Sequence, residues 1–361
     1  MRRLIATATL AALTAAPLLA HAWGADGHQT VATIAAGLIK GTPAEARVAA
    51  LLGDMPLPLA ALWADCVKGI SPSQHYTYPS PGKYADCAPL ETPARIAEMA
   101  DYVKRNDRQC KIGLDEDSCH KQEHYTDLAL QRSRYLLGFT GTRPDDVVGA
   151  LRQAILVLQG KPTTGQPNFK NQREALLVLV HLVGDIHQPL HVAAPYLDAQ
   201  GQRVDPDKKG LDPATFTVGG NSLYVVAAPK PATPAPAAAH AGDDEPDGPV
   251  GAFGPLRFHT LWDSVPDKFK PNRVNAAWLA EARKVHTNQG DPVDWPARWA
   301  TQSLDVAGTA FEGLTFSARQ GTHWTMSLPS GYSAKADAIK RQQLTQAGAR
   351  LAFVLKAVFG N

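Results

Sequence analysis

The chain carries almost no surplus of charge: 36 Lys and Arg stand against 34 Asp and Glu, a formal net charge of +2. A protein that grips long duplex DNA by its phosphates usually shows a basic excess, so any attraction for polyanions here must be local. Bound metal ions are one local source of positive charge. Long apolar runs are also missing. Past Ala22 none approaches the roughly 18 residues that a membrane span needs, so no membrane span is expected. Cysteine is scarce, at 4 residues, and no C-x-x-C spacing occurs, which argues against a zinc site built from thiolates. Strand signals are few, no internal repeat is visible, and no apolar stripe asks for a partner chain; a monomer is the expectation.

What is present starts with the leader. Arg2 and Arg3 precede an apolar run from Leu4 to Ala20, and Ala20-His21-Ala22 is a small-x-small cleavage signal. That pattern is a secretory signal peptide over residues 1–22, cut after Ala22, which predicts a periplasmic or secreted protein. Without Arg2 and Arg3 the basic and acidic side chains balance. Cutting there leaves Trp23 with a free α-amine, which loses its proton near about pH 8 and can then join an imidazole on a metal. His28 follows closely enough to supply one.

Cys66, Cys87, Cys110 and Cys119 lie in one stretch, and in an oxidising compartment two disulfides between neighbours are expected, although four cysteines allow three pairings. Residues 23–361 are long enough for one large domain or two modest ones. One domain is the expectation, with a Cys-containing insertion at about 66–123 and an Ala/Pro-rich, then acidic, loop at about 227–250. The composition of that loop predicts a mobile surface segment. The stretch from Ser71 to Glu91 also reads as irregular.

The fold class read from the pattern is all-α, mainly helical, with a few short strands. Asp26 to Leu38 has Val31, Ile34, Ala35 and Leu38 on one face with Asp26 as N-cap. Thr42-Pro43-Ala44-Glu45 is a helix start, and Thr92-Pro93 opens another helix to about Arg105. Asp145 to Gln159, Asn171 to Gly184, Trp295 to Leu314 and Ala334 to Phe359 read as further helices. Ser222 to Val226 is the best strand.

The chemistry concentrates in NQREALLVLVHLVGDIHQPLHV, Asn171 to Val192. His181 and Asp185 are four apart, about 40° around a helix, and both reach one metal. Pro189 breaks the helix. An undistorted helix would turn His191 about 240° away from Asp185, and the break lets it return. Three histidines and an aspartate in a run of Leu and Val are costly to bury without partners. His187 faces away from His181 and is expected as a satisfied core histidine. Three weaker motifs join this one: His259-Thr-Leu-Trp-Asp263, Trp63-Ala-Asp65-Cys-Val-Lys68, and Glu123-His124-Tyr125-Thr-Asp127. Each alone is more often structural. Together with His28 and the amine they form a nitrogen and oxygen ligand set without thiolate, which suits Zn²⁺ or another borderline divalent ion.

The order Trp-x-x-x-x-His, Trp-Ala-Asp, His-Tyr-x-Asp, His-x-x-x-Asp-x-His-Gln-Pro-Leu-His, Gly-Gly-Asn and His-x-x-Trp-Asp resembles the zinc-dependent, single-strand-preferring nucleases of the mung bean nuclease type, as a secreted bacterial member. Bacterial zinc phospholipase C is a more distant relative with a similar helical fold. The resemblance spans nearly the whole chain past Ala22. It implies a nuclease domain with three zinc ions in one cleft. Asp65, His124, His181 and Asp185 would hold one. His191, His259 and Asp263 would hold the second. The amine and carbonyl of Trp23, His28 and the other oxygen of Asp185 would hold the third. The chain departs from the pattern in the long gap between Asp65 and His124, which contains all the cysteines. Gln74-His75-Tyr76 fits the His124 position loosely; His124 is preferred because Asp127 and His181 follow it at suitable distances. Phe258 before His259 and the Ala/Pro-rich loop are further departures.

The implied activity is hydrolysis of phosphodiester bonds in single-stranded DNA and RNA by a zinc-activated water, giving 5′-phosphorylated nucleotides, with a 3′-nucleotidase activity besides. Asp65, Lys68 and Asp127 are the expected catalytic residues: Lys68 offsets transition-state charge and Asp127 orients the water or the lysine. Tyr125 is placed to stack a base, which favours unpaired strands, and Asn221 is a second candidate for substrate contact. Two other readings keep the ligands: a zinc-dependent phospholipase C, and a periplasmic zinc reservoir. A reservoir tends to carry mobile His-rich tracts, whereas ligands this dispersed need a folded cleft.

Overall fold

A computed structural model describes residues 23–107, 119–226 and 256–360. The expected leader, the Ala/Pro-rich segment 227–250 and Cys110 lie outside the described residues. The protein is mainly helical with a few short strands. Among the described residues the α-helices of five residues or more are α1 (Gly24–Ile39), α2 (Pro43–Leu52), α3 (Trp63–Val67), α4 (Pro93–Asn106), α5 (Val147–Leu158), α6 (Gln172–Asp185), α7 (Phe258–Asp263), α8 (Ala276–Ala282), α9 (Trp295–Ala310) and α10 (Tyr332–Phe359).

Helix α6 is the axis of the molecule. Asn171 caps it by accepting the Glu174 N–H at 3.0 Å, which satisfies one of the orphan donors of a helix start. Every residue from Glu174 to Asp185 is buried. A helix that is apolar all round has to be surrounded, and α6 packs against α1, α2, α3, α5 and α10. Helix α1 lies along α10, where Gly348 meets Ile34: a Cβ at 348 would come within 2.5 Å of that side chain. The main apolar core runs through these helices, and a second cluster collects Leu190, Phe258, Trp262, Phe311 and Trp324. Leu190 belongs to the second cluster and Val192 to the first, so His191 sits at their seam.

Helix ends differ from expectation for local reasons. Helix α1 begins at Gly24, with Trp23 as its cap at φ 40°, and Asp26 falls in the first turn. The Trp23 carbonyl accepts the Gly27 N–H at 3.1 Å, so the buried indole fixes the start earlier than the aspartate would. Thr42 precedes α2, but its hydroxyl donates back to the Ile39 carbonyl at 2.6 Å instead of capping. Asp146, not Asp145, caps α5. Helix α9 stops at Ala310, with Phe311 as its C-cap, short of the expected Leu314.

The strands are short. β1 (Leu223–Val225) lies between β2 (Leu256–Arg257), antiparallel to it, and β3 (Trp324–Met326), parallel to it. Leu128–Ala129 pairs in parallel with Ala193–Ala194. Cys66 and Cys87 form a disulfide, tying α3 to the turn at Ala85–Leu90. No single helix among the described residues is long and apolar enough to cross a membrane.

Candidate metal centre

Five separate segments deliver buried imidazoles and carboxylates to one place. Helix α6 supplies His181 and Asp185 from one face, 3.1 Å apart between Nε2 and Oδ2. Helix α1 supplies His28, whose ring stacks on His181 with centroids 3.7 Å apart and whose Nε2 lies 3.3 Å from Asp185 Oδ1. Gly184 makes that approach possible, because a Cβ there would fall 2.7 Å from His28 Nδ1. Helix α3 supplies Asp65, with Oδ1 3.4 Å from His181 Nε2. His124 enters on the strand-like segment beside residues 191–194. The Thr126 N–H bonds the His191 carbonyl at 2.8 Å and the Leu128 N–H bonds the Val192 carbonyl at 3.0 Å. That parallel zipper sets His124 Nδ1 2.9 Å from Asp185 Oδ2. His75, the alternative from sequence, is exposed on a loop at φ 53°.

The third part stands on the turn after α6 and on α7. Pro189–His191 is a 3₁₀ turn that turns His191 back toward the cluster, with Nδ1 3.7 Å from Asp185 Oδ1. Its Nε2 faces His259 Nε2 at 3.1 Å, and His259 Nε2 lies 3.4 Å from Asp263 Oδ2. Three ligand groups result, each with its donor atoms within 4.8 Å of one another: His28 with His181 and Asp185, Asp65 with His124 and His181, and His191 with His259 and Asp263. The first two share His181, the third reaches Asp185 through His191, and all are buried, so they form one continuous centre.

The donor chemistry fits divalent cations. His191 Nδ1 lies 2.9 Å from the His124 carbonyl and His259 Nδ1 lies 2.7 Å from the Gly219 carbonyl. A carbonyl only accepts, so both protons sit on Nδ1. The two facing Nε2 atoms then present lone pairs to each other across 3.1 Å, an arrangement that a cation between them relieves. His181 repeats the pattern, with Nδ1 2.6 Å from the Ala61 carbonyl and Nε2 toward Asp65 and Asp185. This is the usual way a protein orients a metal-ligating imidazole. Among the described residues, His28 Nδ1 and Nε2, Asp185 Oδ1 and Asp263 Oδ2 are buried without a hydrogen-bond partner. Unpaired polar groups of this kind are costly.

Electrostatics point the same way. Burial lowers the pKa of His28, with the neighbouring His181 adding to it. Burial also takes His124 well below the usual histidine range, reinforced by Lys68, and His191 down to about 3. Lowered in this way, these rings favour the neutral form, which has a lone pair to offer a cation. Burial opposes charge on His181 too, but Asp185 and Asp65 overcome it and lift the ring to about 10. Burial likewise resists ionisation of Asp185, yet the charge on His181 and the close imidazoles of His124, His181 and His28 hold its carboxyl well below the ordinary range.

The other expected residues lie around this centre. The Lys68 ammonium is 2.8 Å from Asp65 Oδ1. Asp127 is buried, with its N–H on the Gly141 carbonyl at 3.0 Å and its carbonyl accepting from the Tyr196 hydroxyl at 2.8 Å. Tyr125 is half-buried next to His124. Asn221 is half-buried and its amide donates to the Val218 carbonyl at 3.0 Å. It follows the Gly219-Gly220 turn, where Gly219 adopts φ 58° under the His259 ring. Trp23 is fully buried and its indole N–H donates to the Gly184 carbonyl at 2.9 Å, which places the start of α1 beside Asp185. His187 faces away from the ligands, as expected, with Nε2 2.8 Å from Arg350 Nη1.

Sequence reasoning missed the supporting groups: the carbonyls of Ala61, His124 and Gly219, and Gln188, whose carboxamide reaches Asp263. Gln188 had a signal, being a polar residue between two ligands in an apolar run. The carbonyls had none, since any residue carries one.

Residues 23–228 match the model of a family described as S1/P1 Nuclease. The chain is 27% identical over 363 aligned residues to "Endonuclease 2" of Arabidopsis thaliana, covering 96% of this chain and 94% of that protein. It is 26% identical over 204 residues to "Nuclease S1" of Aspergillus oryzae, covering 54% of this chain and 52% of that one. The first likeness runs through nearly the whole of both proteins, so it is not confined to the segments that carry the candidate ligands.

Proposed function

The chain belongs to the S1/P1 nuclease family, and from that premise we propose that it is an exported, zinc-dependent endonuclease. It hydrolyses single-stranded DNA and RNA to 5′-phosphorylated nucleotides, removes 3′-phosphates from nucleotides, and acts as a monomer once cut after Ala22. The observation that carries zinc dependence is the facing pair of unprotonated Nε2 atoms of His191 and His259, 3.1 Å apart in a buried cluster of carboxylates and imidazoles. The absence of thiolate among the donors favours Zn²⁺ over softer ions.

Asp65, His124, His181 and Asp185 would hold one ion, His191, His259 and Asp263 a second, and His28 with Asp185 and the Trp23 main chain a third. Zinc bound there supplies Lewis-acid polarisation of phosphate oxygens and a more acidic water. The chain's own residues do the rest. Lys68 brings a cation to the edge of the cluster, held by Asp65 at 2.8 Å, where it offsets negative charge growing on the phosphate. Asp127 orients the attacking water or Lys68. Tyr125, half-exposed beside His124, offers a ring on which an unpaired base stacks, and such stacking is tolerant of sequence. Asn221 contacts the substrate from the Gly219-Gly220 turn. The near balance of charge fits a protein that attracts its polyanionic substrate through the centre rather than through a basic face.

The test is to strip the protein with a chelator, return zinc, and assay release of 5′-nucleotides from single-stranded DNA and RNA, with lecithin as a parallel substrate. Zinc-restored cleavage of the nucleic acids is expected. Zinc-restored lecithin hydrolysis without nucleic-acid cleavage, or no zinc response at all, would overturn the reading.

A further inference from the structure

Gln188 is wholly buried and lies between two segments that carry ligands. Its Oε1 accepts the Leu190 N–H at 2.6 Å, which makes it the cap of the Pro189–His191 turn. Its Nε2 donates to Asp263 Oδ1 at 2.8 Å, across 75 residues of sequence. Its main chain is tied as well: the N–H reaches the Asp185 carbonyl at 2.9 Å, and the carbonyl accepts the His191 N–H at 3.0 Å. The amide orientation is forced, because a backbone N–H only donates and so selects Oε1, leaving Nε2 for the carboxylate.

We propose that Gln188 is a positioning residue that sets His191 against His259 and Asp263 and so completes one of the metal sites. The inference rests on the zinc reading above. The chemistry needs a group that donates on one side and accepts on the other. The donor side takes up Oδ1 of Asp263 and leaves Oδ2 facing His259 at 3.4 Å, buried with no hydrogen-bond partner of its own. The acceptor side fixes the turn that presents His191. A single carboxamide therefore couples the end of α6 to the end of α7. Outer partners of this kind orient the atoms that touch the metal, and losing one typically weakens metal affinity by about 10–100-fold.

Two variants test it. Gln188→Glu keeps the acceptor but sets a carboxylate oxygen where Nε2 was, against Asp263. Gln188→Met keeps roughly the volume, adds no charge and removes both bonds, so it serves if the first variant does not fold. Zinc per chain is measured after dialysis at graded free zinc, together with the melting temperature in excess chelator. The wild type is expected to retain about three ions. The variants should retain two at low free zinc, and regain the third together with nuclease activity only at about ten- to hundredfold higher zinc. A variant that melts lower in chelator yet binds zinc like the wild type would overturn the positioning role and leave Gln188 an ordinary packed amide. A wild type holding one ion or none would instead sink the zinc reading itself.

Discussion

The indole N–H of Trp23 donates to the carbonyl of Gly184 at 2.9 Å, one residue from Asp185. The side chain that opens α1 is thus anchored on the helix that carries two of the proposed ligands. The anchor has a consequence for processing. If the Trp23 amine is a ligand, a chain keeping even Ala22 has a peptide nitrogen there, which neither takes a proton nor binds zinc. A form beginning at Ala22, verified by mass spectrometry, should hold one zinc fewer than a form beginning at Trp23 and lose about tenfold or more in activity. Equal metal content and activity would remove Trp23 from the ligand set. Trp23→Phe, which loses the bond and leaves part of the indole's buried volume empty, should cost more in stability than the hydrogen bond alone, which is worth about 1 kcal/mol.

Gly184 gives a prediction in which two effects oppose. In an α-helix, alanine outranks glycine by about 1 kcal/mol. At this position, however, the new Cβ would sit 2.7 Å from His28 Nδ1 and 3.0 Å from Cε1. His28 is fully buried and stacked on His181, so its ring has little room to yield. Overpacking of this kind costs about 1–3 kcal/mol, which exceeds the gain. Gly184→Ala should lower the denaturant midpoint and weaken zinc binding together. Adding His28→Ala removes the clash, and the double variant should recover the midpoint but not the zinc. If the double variant remains as unstable as the single one, the steric account is wrong.

These two positions show what was legible in the sequence. His181 and Asp185 could be read from their i, i+4 spacing, and His191 from the proline that breaks the helix. The long helices could be read from their periodicity and from caps such as Asn171 and Thr92. The cap of α1 could not, because Trp23 is not a capping residue and acts through a bond to Gly184 that no local pattern announces. The fit of His28 against Gly184 was equally invisible, since a glycine inside a helix has many causes. β1 showed as a strand, but its partners Leu256–Arg257 and Trp324–Met326 are too short to display alternation. Gln188 was visible only as an oddity, because its role depends on which distant carboxylate it meets.

The choice between His124 and His75 is a third prediction. The structure buries His124, with Nδ1 2.9 Å from Asp185 Oδ2 and 3.1 Å from His181 Nε2. His75 is exposed, and its N–H closes a 3₁₀ turn on the Pro72 carbonyl at 3.0 Å. His124→Ala should remove an ion and reduce activity by about a hundredfold or more, the upper range for a disturbed metal site. His75→Asn, which tolerates the left-handed backbone, should change stability by no more than about 0.5 kcal/mol and leave zinc content unchanged. The reverse pattern in metal content would reassign the ligand.

Asp146 offers a pH dependence at a group that is not one of the proposed ligands. It is fully buried at the start of α5, and its carboxylate accepts from Val148 N at 2.9 Å, Gly149 N at 3.1 Å, Arg143 N at 3.1 Å and the Tyr135 hydroxyl at 3.0 Å. Burial raises its pKa to about 6 even though all these donors favour the charged form. The folded chain therefore binds a proton that the unfolded chain, with an ordinary aspartate, releases near pH 3.8. The extra stability is fully present below that lower value and is lost as pH rises through about 6. Each pH unit between the two values is worth about 1.4 kcal/mol. Asp146→Asn does not titrate and remains a good helix cap, although Nδ2 cannot accept the bonds now made to Oδ2. Urea unfolding of both proteins in excess chelator should thus show the wild-type advantage about 1 kcal/mol larger at pH 5 than at pH 7.5. A difference that is flat, or that grows toward pH 7.5, would mean that the buried carboxyl is not raised into this range, its donors offsetting the loss of water.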